Sequence, residues 1–256
     1  MPSNFAEYYD AVINWEKRLA RELPLLEELA RTAGRRVLAP ACGTGGHVVA
    51  LARQGFSVFG FDADEDTVAF ARQRIEHEAD AIAAAGGEAK VILLRMEEAC
   101  ELGPTYDAAF CLGNALPGIS EDGQLPAALE GIAGALRPGG VFLTQNLNYD
   151  LRWKEKAHWF PLLSGESGEE EVLLVKFADY DPQAINFHAM FLVRKKTGRT
   201  WQSHVRSSRQ IPLSRNLLEQ LLTRAGFGKL QFWGDYGRGP FAPAESNDLL
   251  VEGEKL

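Results

Sequence analysis

From residue 36 onward the apolar positions switch between two rhythms. Short, nearly continuous apolar runs fall at 36–39, 57–61, 90–94, 106–112 and 141–145, and each reads as a strand. Between them, at 48–54, 65–85 and 122–136, apolar residues recur at the spacing of one helix face. Gly55 and the pair Gly86-Gly87 close the first two helices, and Arg137-Pro138-Gly139-Gly140 turns the chain out of the third. Strands alternating with helices predict an α/β fold, a mostly parallel sheet wrapped by helices on both faces. Ahead of this unit, Leu19, Leu23, Leu26 and Leu29 give residues 4–32 a helical period, with Gly34 as the stop. Pro24 is expected to kink or interrupt that helix.

After Asn148 the rhythm changes. Residues 171–180, 184–196 and 200–211 are β-rich, with Asp181-Pro182 and Thr197-Gly198 as turn signals between them. They predict an antiparallel insertion within residues 150–212, suited to a lid or an oligomer surface. Ser214 then caps a helix that runs through Arg224 and ends at Gly226. A final antiparallel strand pair is expected at 227–233 and 247–254.

The 256 residues fit one α/β domain with an insertion better than two independent domains. A hydrophobic fraction of 46% is enough for a real core. No apolar run approaches the roughly 18 to 20 residues that span a bilayer, so a membrane is not an expected partner. The first residues lack the basic and apolar blocks of a signal peptide. Cys42, Cys100 and Cys111 are scattered, which points to a reducing, cytoplasmic setting and away from disulfides or a zinc site. A formal charge of -8 argues against nucleic acid, since it suits phosphate contacts poorly.

Candidate chemistry begins at Val37-Leu38-Ala39-Pro40-Ala41-Cys42-Gly43-Thr44-Gly45-Gly46, a strand that runs into a glycine-rich helix start. A ligand can approach backbone closely there, where Cβ atoms at Gly43 and Gly45 would block it. A dinucleotide loop would carry glycine at the sixth position of Gly43-Thr44-Gly45-Gly46-His47-Val48, but valine stands there, so a nucleoside without phosphates suits the loop better. Asp62 ends the next strand, placed to accept hydrogen bonds from both ribose hydroxyls. The competing reading, a helix cap, is served better by Asp64-Glu65-Asp66. The run from Tyr106 to Pro117 carries Asn114 at the sheet's carboxyl end, either as a ligand contact or as a turn asparagine.

Together, Ala41-Cys42-Gly43-Thr44-Gly45, Gly55-Phe56-Ser57-Val58 with Asp62-Ala63, Cys111-Leu112-Gly113-Asn114, Asn148-Tyr149-Asp150 and Gly234-Asp235-Tyr236 resemble the class I S-adenosylmethionine-dependent methyltransferases. The likeness is strongest to glycine N-methyltransferase and related small-molecule enzymes. It implies a Rossmann-like sheet that ends in an antiparallel hairpin, S-adenosylmethionine as cofactor, and S-adenosylhomocysteine as product. In this resemblance Asp62 and Ala63 meet the ribose, and Ala41, Gly43, Thr44 and Gly45 hold the methionine portion. Leu112 and Asn114 line the cofactor near its sulfonium, and Met96 and Glu97 face the adenine. The N-terminal helices, residues 1–34, would close over the cofactor, with Tyr9, Trp15 and Arg18 as contacts and Arg18 pairing the cofactor carboxylate. Tyr8, Tyr9 and Trp15 equally fit a plain anchoring role. Two departures stand out. Ala39 occupies a position that is usually acidic, and Arg95 replaces the acid that usually meets the adenine amino group.

On the acceptor side, Leu147 stands where glycine methyltransferases carry the arginine for the substrate carboxylate, which makes glycine a poor fit unless Arg152 or Arg209 reaches in. Tyr149, Tyr236 and Asn114 are candidate acceptor contacts. Methyl transfer needs alignment and exclusion of water more than a nucleophilic side chain, and no GxSxG elbow or metal-ligand spacing is present. An amine can attack without a protein base, whereas an alcohol would call for one. His188 is the candidate base, with His158 and His204 behind it, although a lone histidine in a β-rich run is more often structural. The expected activity is methylation of a small molecule, at nitrogen rather than oxygen. The alternative is a non-catalytic protein that binds the cofactor or acts through interactions of the insertion.

Overall fold

The computed structural model describes residues 5–119 and 124–256, so Asp122, the expected start of one helix, lies outside the described residues. The central sheet contains β1 (Arg36–Pro40), β2 (Ser57–Asp62), β3 (Glu88–Leu93), β4 (Tyr106–Cys111), β5 (Leu136–Leu147), β10 (Phe227–Trp233) and β11 (Asp248–Lys255). Their order is β10-β11-β5-β4-β1-β2-β3. The β1, β2, β3, β4 and β5 pairings are parallel, while β11 runs antiparallel to both β5 and β10. Strand order reverses between β1 and β4, which opens a crevice at their carboxyl ends.

Helices pack on both faces because the strands are apolar on both. Leu25, Leu26 and Leu29 of α2 (Trp15–Ala33), Val48 and Leu51 of α3 (Gly46–Ala52) and Val68 of α4 (Glu65–His77) share one core layer with Val37 and Val58. Leu125, Leu129 and Ile132 of α6 (Gln124–Ala135), with Leu218 and Leu222 of α8 (Arg215–Arg224), share the other with Phe142 and Phe227. The rings of Phe142 and Phe227 stack at 4.9 Å and tie β5 to β10.

Several sequence expectations change. Residues 4–32 form two helices, α1 (Phe5–Val12) and α2, which are separated at Ile13-Asn14, where the Asn14 side chain accepts from the Lys17 amide at 2.9 Å. Pro24 lies inside α2 without ending it. Pro24 and Ala20 are both exposed, so water can satisfy the carbonyl that proline leaves unpaired. The long helix at 65–85 divides at Glu78 into α4 and α5 (Ala79–Ala84). The Arg137-Pro138-Gly139-Gly140 turn is drawn into β5 as an irregularity, with Tyr106 opposite Leu136 and then Ala108 opposite Val141.

After α7 (Tyr149–Glu155), a second antiparallel sheet contains four strands rather than three: β6 (Leu163–Ser167), β7 (Glu170–Tyr180), β8 (Ile185–Lys195) and β9 (Gln202–Gln210). Its inner face buries Val172, Leu174, Phe191 and Val193 against Tyr8 and Val12 of α1. The outer side leaves Trp159, Leu162 and Val205 exposed. Helix α1 is thus wedged between the two sheets. Among the described residues no helix is long and apolar enough to cross a membrane.

The fit of α1 depends on Gly165, where an added Cβ would lie 1.8 Å from the Ala11 carbonyl oxygen. Gly165→Val should lift α1 from the second sheet. Amide exchange across residues 5–12 should accelerate while the central strands keep their protection, and unchanged exchange in α1 would contradict this packing.

Candidate functional site

The chain leaves β1 through Ala41, a non-glycine residue in the left-handed region at φ 49, and reaches Gly43 at φ 56 and Gly45 at φ 79. A Cβ at Gly43 would meet no atom within 4 Å, so its backbone faces open space. Gly45 has another reason to be glycine. Its Cβ would press on Ala71 of α4 at 3.0 Å, and Gly45 does not line the cavity beside the loop. Gly46 makes room for the Trp15 ring. Val48, at the sixth position of the motif, fits because Gly60 of β2 has no side chain to oppose it.

Asp62 ends β2 and holds this loop. Its Oδ2 accepts from the Gly43 amide at 3.0 Å and its Oδ1 from the Asp64 amide at 3.1 Å. Burial raises its pKa above the ordinary carboxylate value, and the amides of Gly43 and Asp64 oppose that rise. Asp64, not Asp62, caps α4, accepting from the Thr67 amide at 2.9 Å.

Two cavities meet at Ala41 and Asp62. The larger, about 360 Å³, is lined by Tyr9, Trp15, Arg18, Ala39, Gly43, Thr44, His47 and Leu112, with Ala189, Phe191 and Arg206 from the second sheet. The smaller, about 230 Å³, is lined by Ala63, Arg95, Met96 and Glu97. In the second, Glu97 accepts from Arg95 Nε at 2.6 Å, so the basic residue and its acidic neighbour form one pair.

A polar cluster anchors α1 over the first cavity. Asp10 accepts from Trp15 Nε1 at 2.7 Å and from Thr44 Oγ1 at 2.8 Å, and pairs with Arg74. On the second sheet, Arg206 reaches Asp64 at 2.7 Å.

A second cluster, centred on Glu22, has no signal in the local sequence pattern. Glu22 is 1% exposed although α2 is a surface helix. It accepts from Arg21 at 2.7 Å, from His47 Nε2 at 2.7 Å, and from Arg18 Nε at 3.3 Å. Burial alone would raise its pKa, but the His47 hydrogen bond and the arginine charges outweigh it and hold Glu22 at about 2. Burial lowers the pKa of His47, so the ring is neutral. An ionised carboxylate can only accept, so the ring donates from Nε2 and keeps Nδ1 as an acceptor. Arg18 and His47 both line the cavity beside Ala39, and an Arg18 terminal nitrogen lies beside Gly113. Glu22 therefore brings a negative charge, through two cavity-lining partners, to the region where Ala39 has none.

The acceptor candidates scatter. Asn114, at φ 62, donates from its amide nitrogen to the Tyr149 hydroxyl at 2.9 Å, and its oxygen accepts from the Leu147 amide at 2.9 Å. Tyr149 is buried, donates to Gln210 at 2.8 Å, and has its pKa pushed up by burial to about 12. Tyr236 is buried beneath Arg21, its hydroxyl has no hydrogen-bond partner among the described residues, and it lines neither cavity. His188 cannot serve as the base at this site. Ala189 and Phe191 of β8 face the cavity, so alternation turns His188 to the outer side, where it stacks on Phe177 at 4.7 Å and meets Ser207 at 2.7 Å. Arg209 also faces outward, paired with Asp181. His158 meets the Ala178 carbonyl, and His204 packs near Phe5 and Tyr8.

Residues 37–140 match the family described as "Methyltransferase domain". A glycine/sarcosine N-methyltransferase of Halorhodospira halochloris is 24% identical over 98% of this chain and 87% of its own. The glycine N-methyltransferase of Oryctolagus cuniculus is 35% identical over 49% of this chain and 45% of its own. A solved S-adenosylmethionine-dependent methyltransferase from Clostridium acetobutylicum ATCC 824 shares the fold, with a TM-score of 0.75 at 14% identity over 98% of each chain. Residues 37–140 are thus a methyltransferase domain, the chain has the Rossmann-like fold of the class I enzymes, and the protein is an S-adenosylmethionine-dependent methyltransferase. Within that class it is similar to the glycine N-methyltransferases.

Replacing Glu22 removes the acceptor that Arg18, Arg21 and His47 share. Glu22→Gln should lower stability at pH 7 by about 3 kcal/mol, measured by urea unfolding. Because the folded pKa is depressed, this stabilisation is complete above the unfolded value near 4.5 and fades as pH falls toward 2. The wild type should therefore lose its advantage over the variant across that window, and equal stability at every pH would refute the role given to Glu22.

Proposed function

We propose that this enzyme methylates a nitrogen atom of a small molecule. One observation carries the choice of nitrogen: among the described residues that line the larger cavity, no histidine or carboxylate is free to act as a base. Phe5, Ala6, Ala115, Ala189 and Phe191 are apolar, and His188 lies across the sheet. Asp62 and Asp64 are held by backbone amides and Arg206, and His47 is bound to Glu22. A neutral amine brings its own lone pair and needs no such base for the bond-forming step. The relatives' names, glycine and glycine/sarcosine N-methyltransferase, favour the same reading.

The chain's residues suit the cofactor. Asp62 sits where the cavities join and would accept from the ribose hydroxyls, with Ala63 beside it. Gly43 and Thr44 leave space for the methionine portion. Arg18 would meet its carboxylate, and Nδ1 of His47 would accept from its ammonium group. Met96 and Glu97 would border the adenine. When bound, the cofactor supplies a methyl group on a sulfonium, which is already a good leaving group. What the protein adds is alignment and dryness: α1 and the second sheet cover the crevice, with Tyr9 and Phe191 in its wall. Asn114 is a positioning residue, since its amide joins the β4 loop to Tyr149 and β5. Self-association of two chains would use the outer face of the second sheet.

Asp62→Ala should weaken S-adenosylhomocysteine binding at least tenfold in a calorimetric titration, and parental affinity would remove Asp62 from the site. For the chemistry, S-adenosylhomocysteine release is compared across matched amines and phenols. Amines should be turned over and phenols should not, and methylation confined to phenols would overturn the assignment to nitrogen.

A further inference from the structure

The inner face of the second sheet carries more positive charge than its neighbours balance. Lys176 of β7, Ala189 of β8 and Arg206 of β9 stand side by side in register, and directly paired residues share a face. Ala189 and Arg206 line the larger cavity, and Lys176 stands beside Ala189 on that face, just outside the lining. Arg206 is neutralised by Asp64, whereas no ion pair joins Lys176 to an acid among the described residues. A second cation lies near Lys176. Arg152 lies one turn after Tyr149 on α7, its guanidinium 5.4 Å from the centre of the Phe160 ring. The Phe160 amide in turn donates to the Lys176 carbonyl at 3.1 Å, which fixes Arg152 beside the Lys176 strand. Arg152 Nε is buried without a hydrogen-bond partner, and Arg152 also forms no ion pair among the described residues. Burial, with the nearby Arg152 charge, lowers the pKa of Lys176.

Two cations held together with no acid in ion-pair contact repel each other, Asp248 acting on Arg152 only from beyond that distance, and a buried unpartnered guanidinium nitrogen is costly. An anion between them would remove both penalties. The small side chain of Ala189 leaves space next to Lys176, and Phe160 and Phe187, 5.5 Å apart, offer aromatic wall. Leu147, on the central-sheet side, contributes no charge.

We propose that Lys176 and Arg152 form an anion subsite beside the cofactor cavity, which holds a compact oxyanion, carboxylate or phosphate, carried by the methyl acceptor. This rests on the reading of the adjoining cavity as the place of methyl transfer. The subsite would hold the far end of the acceptor and turn its nucleophilic atom toward the crevice.

The test uses the full chain loaded with S-adenosylhomocysteine and titrated calorimetrically with benzoate, phenyl phosphate and the neutral isostere benzamide. At least one anion should bind tenfold or more tightly than benzamide. Whichever of benzoate and phenyl phosphate binds tighter identifies the group as carboxylate or phosphate. Lys176→Gln and Arg152→Gln should each remove most of that preference, the double variant all of it, and Arg152→Lys should retain part. Affinity for S-adenosylhomocysteine should stay within twofold in every variant, which shows that the fold is intact. Anions that bind no better than benzamide, or a preference that survives in the double variant, would overturn the proposal. If the wild type fails to bind S-adenosylhomocysteine but the anion preference obeys the two substitutions, the methyl-transfer reading fails and the subsite stands.

Discussion

The structure turns on one partly buried carboxylate. Asp62 takes one backbone amide from the loop after β1 and another from the turn into α4. Two parallel strands lie side by side in any such sheet, but nothing in their pairing dictates how the loops beyond them are spaced. Asp62 sets that spacing. Removing a carboxylate from water is expensive, and hydrogen bonds to a charged acceptor, about 1.5–3 kcal/mol each, are what make it tolerable. Ala41 holds a positive φ in the same loop, a strain of order 1–3 kcal/mol that persists only where neighbours over-determine the backbone. The result is a wall shared by two cavities.

Everything that covers this crevice is tied back to the same region by charge. Asp10 joins α1 to Thr44 and Arg74, and Arg206 joins the second sheet to Asp64, the residue that also caps α4. Apolar contacts between Tyr8, Val12, Phe191 and Val193 supply the adhesion, while these polar links choose the angle at which the cover sits. Cover and crevice are therefore one unit, although they come from distant parts of the chain.

Polarity has also moved between elements. Ala39 leaves the end of β1 without an acid, yet an acid serves this part of the site: Glu22, buried from α2, grips Arg18 and His47. Leu147 likewise offers no cation from β5, while Arg152 and Lys176 offer two from α7 and β7. A departure at one position of a motif is thus a poor guide to lost chemistry, because a neighbouring element can deliver the same charge through space.

Local pattern was sufficient for much of the fold. The two rhythms of apolar residues, the glycine stops and the Ser214 cap determined the strands, most helices and the parallel class of the sheet, because these depend on interactions between near neighbours in the chain. The glycine loop and Asp62 were legible for the same reason: both belong to a strand end and the turn after it. Pro24 misled because whether a proline ends a helix depends on whether its orphaned carbonyl meets water, a matter of exposure. His188 misled because the face it occupies follows from which side of β8 packs on α1. Glu22 and Lys176 could not be singled out from the sequence, and Arg152 could be named only alongside Arg209, since nothing nearby distinguishes a buried charge from a solvated one. Sequence determined which strand ends in a glycine loop and which carboxylate stands next to it. Tertiary structure decided which charges surround it, because burial and charge pairing arise between residues that only folding brings together.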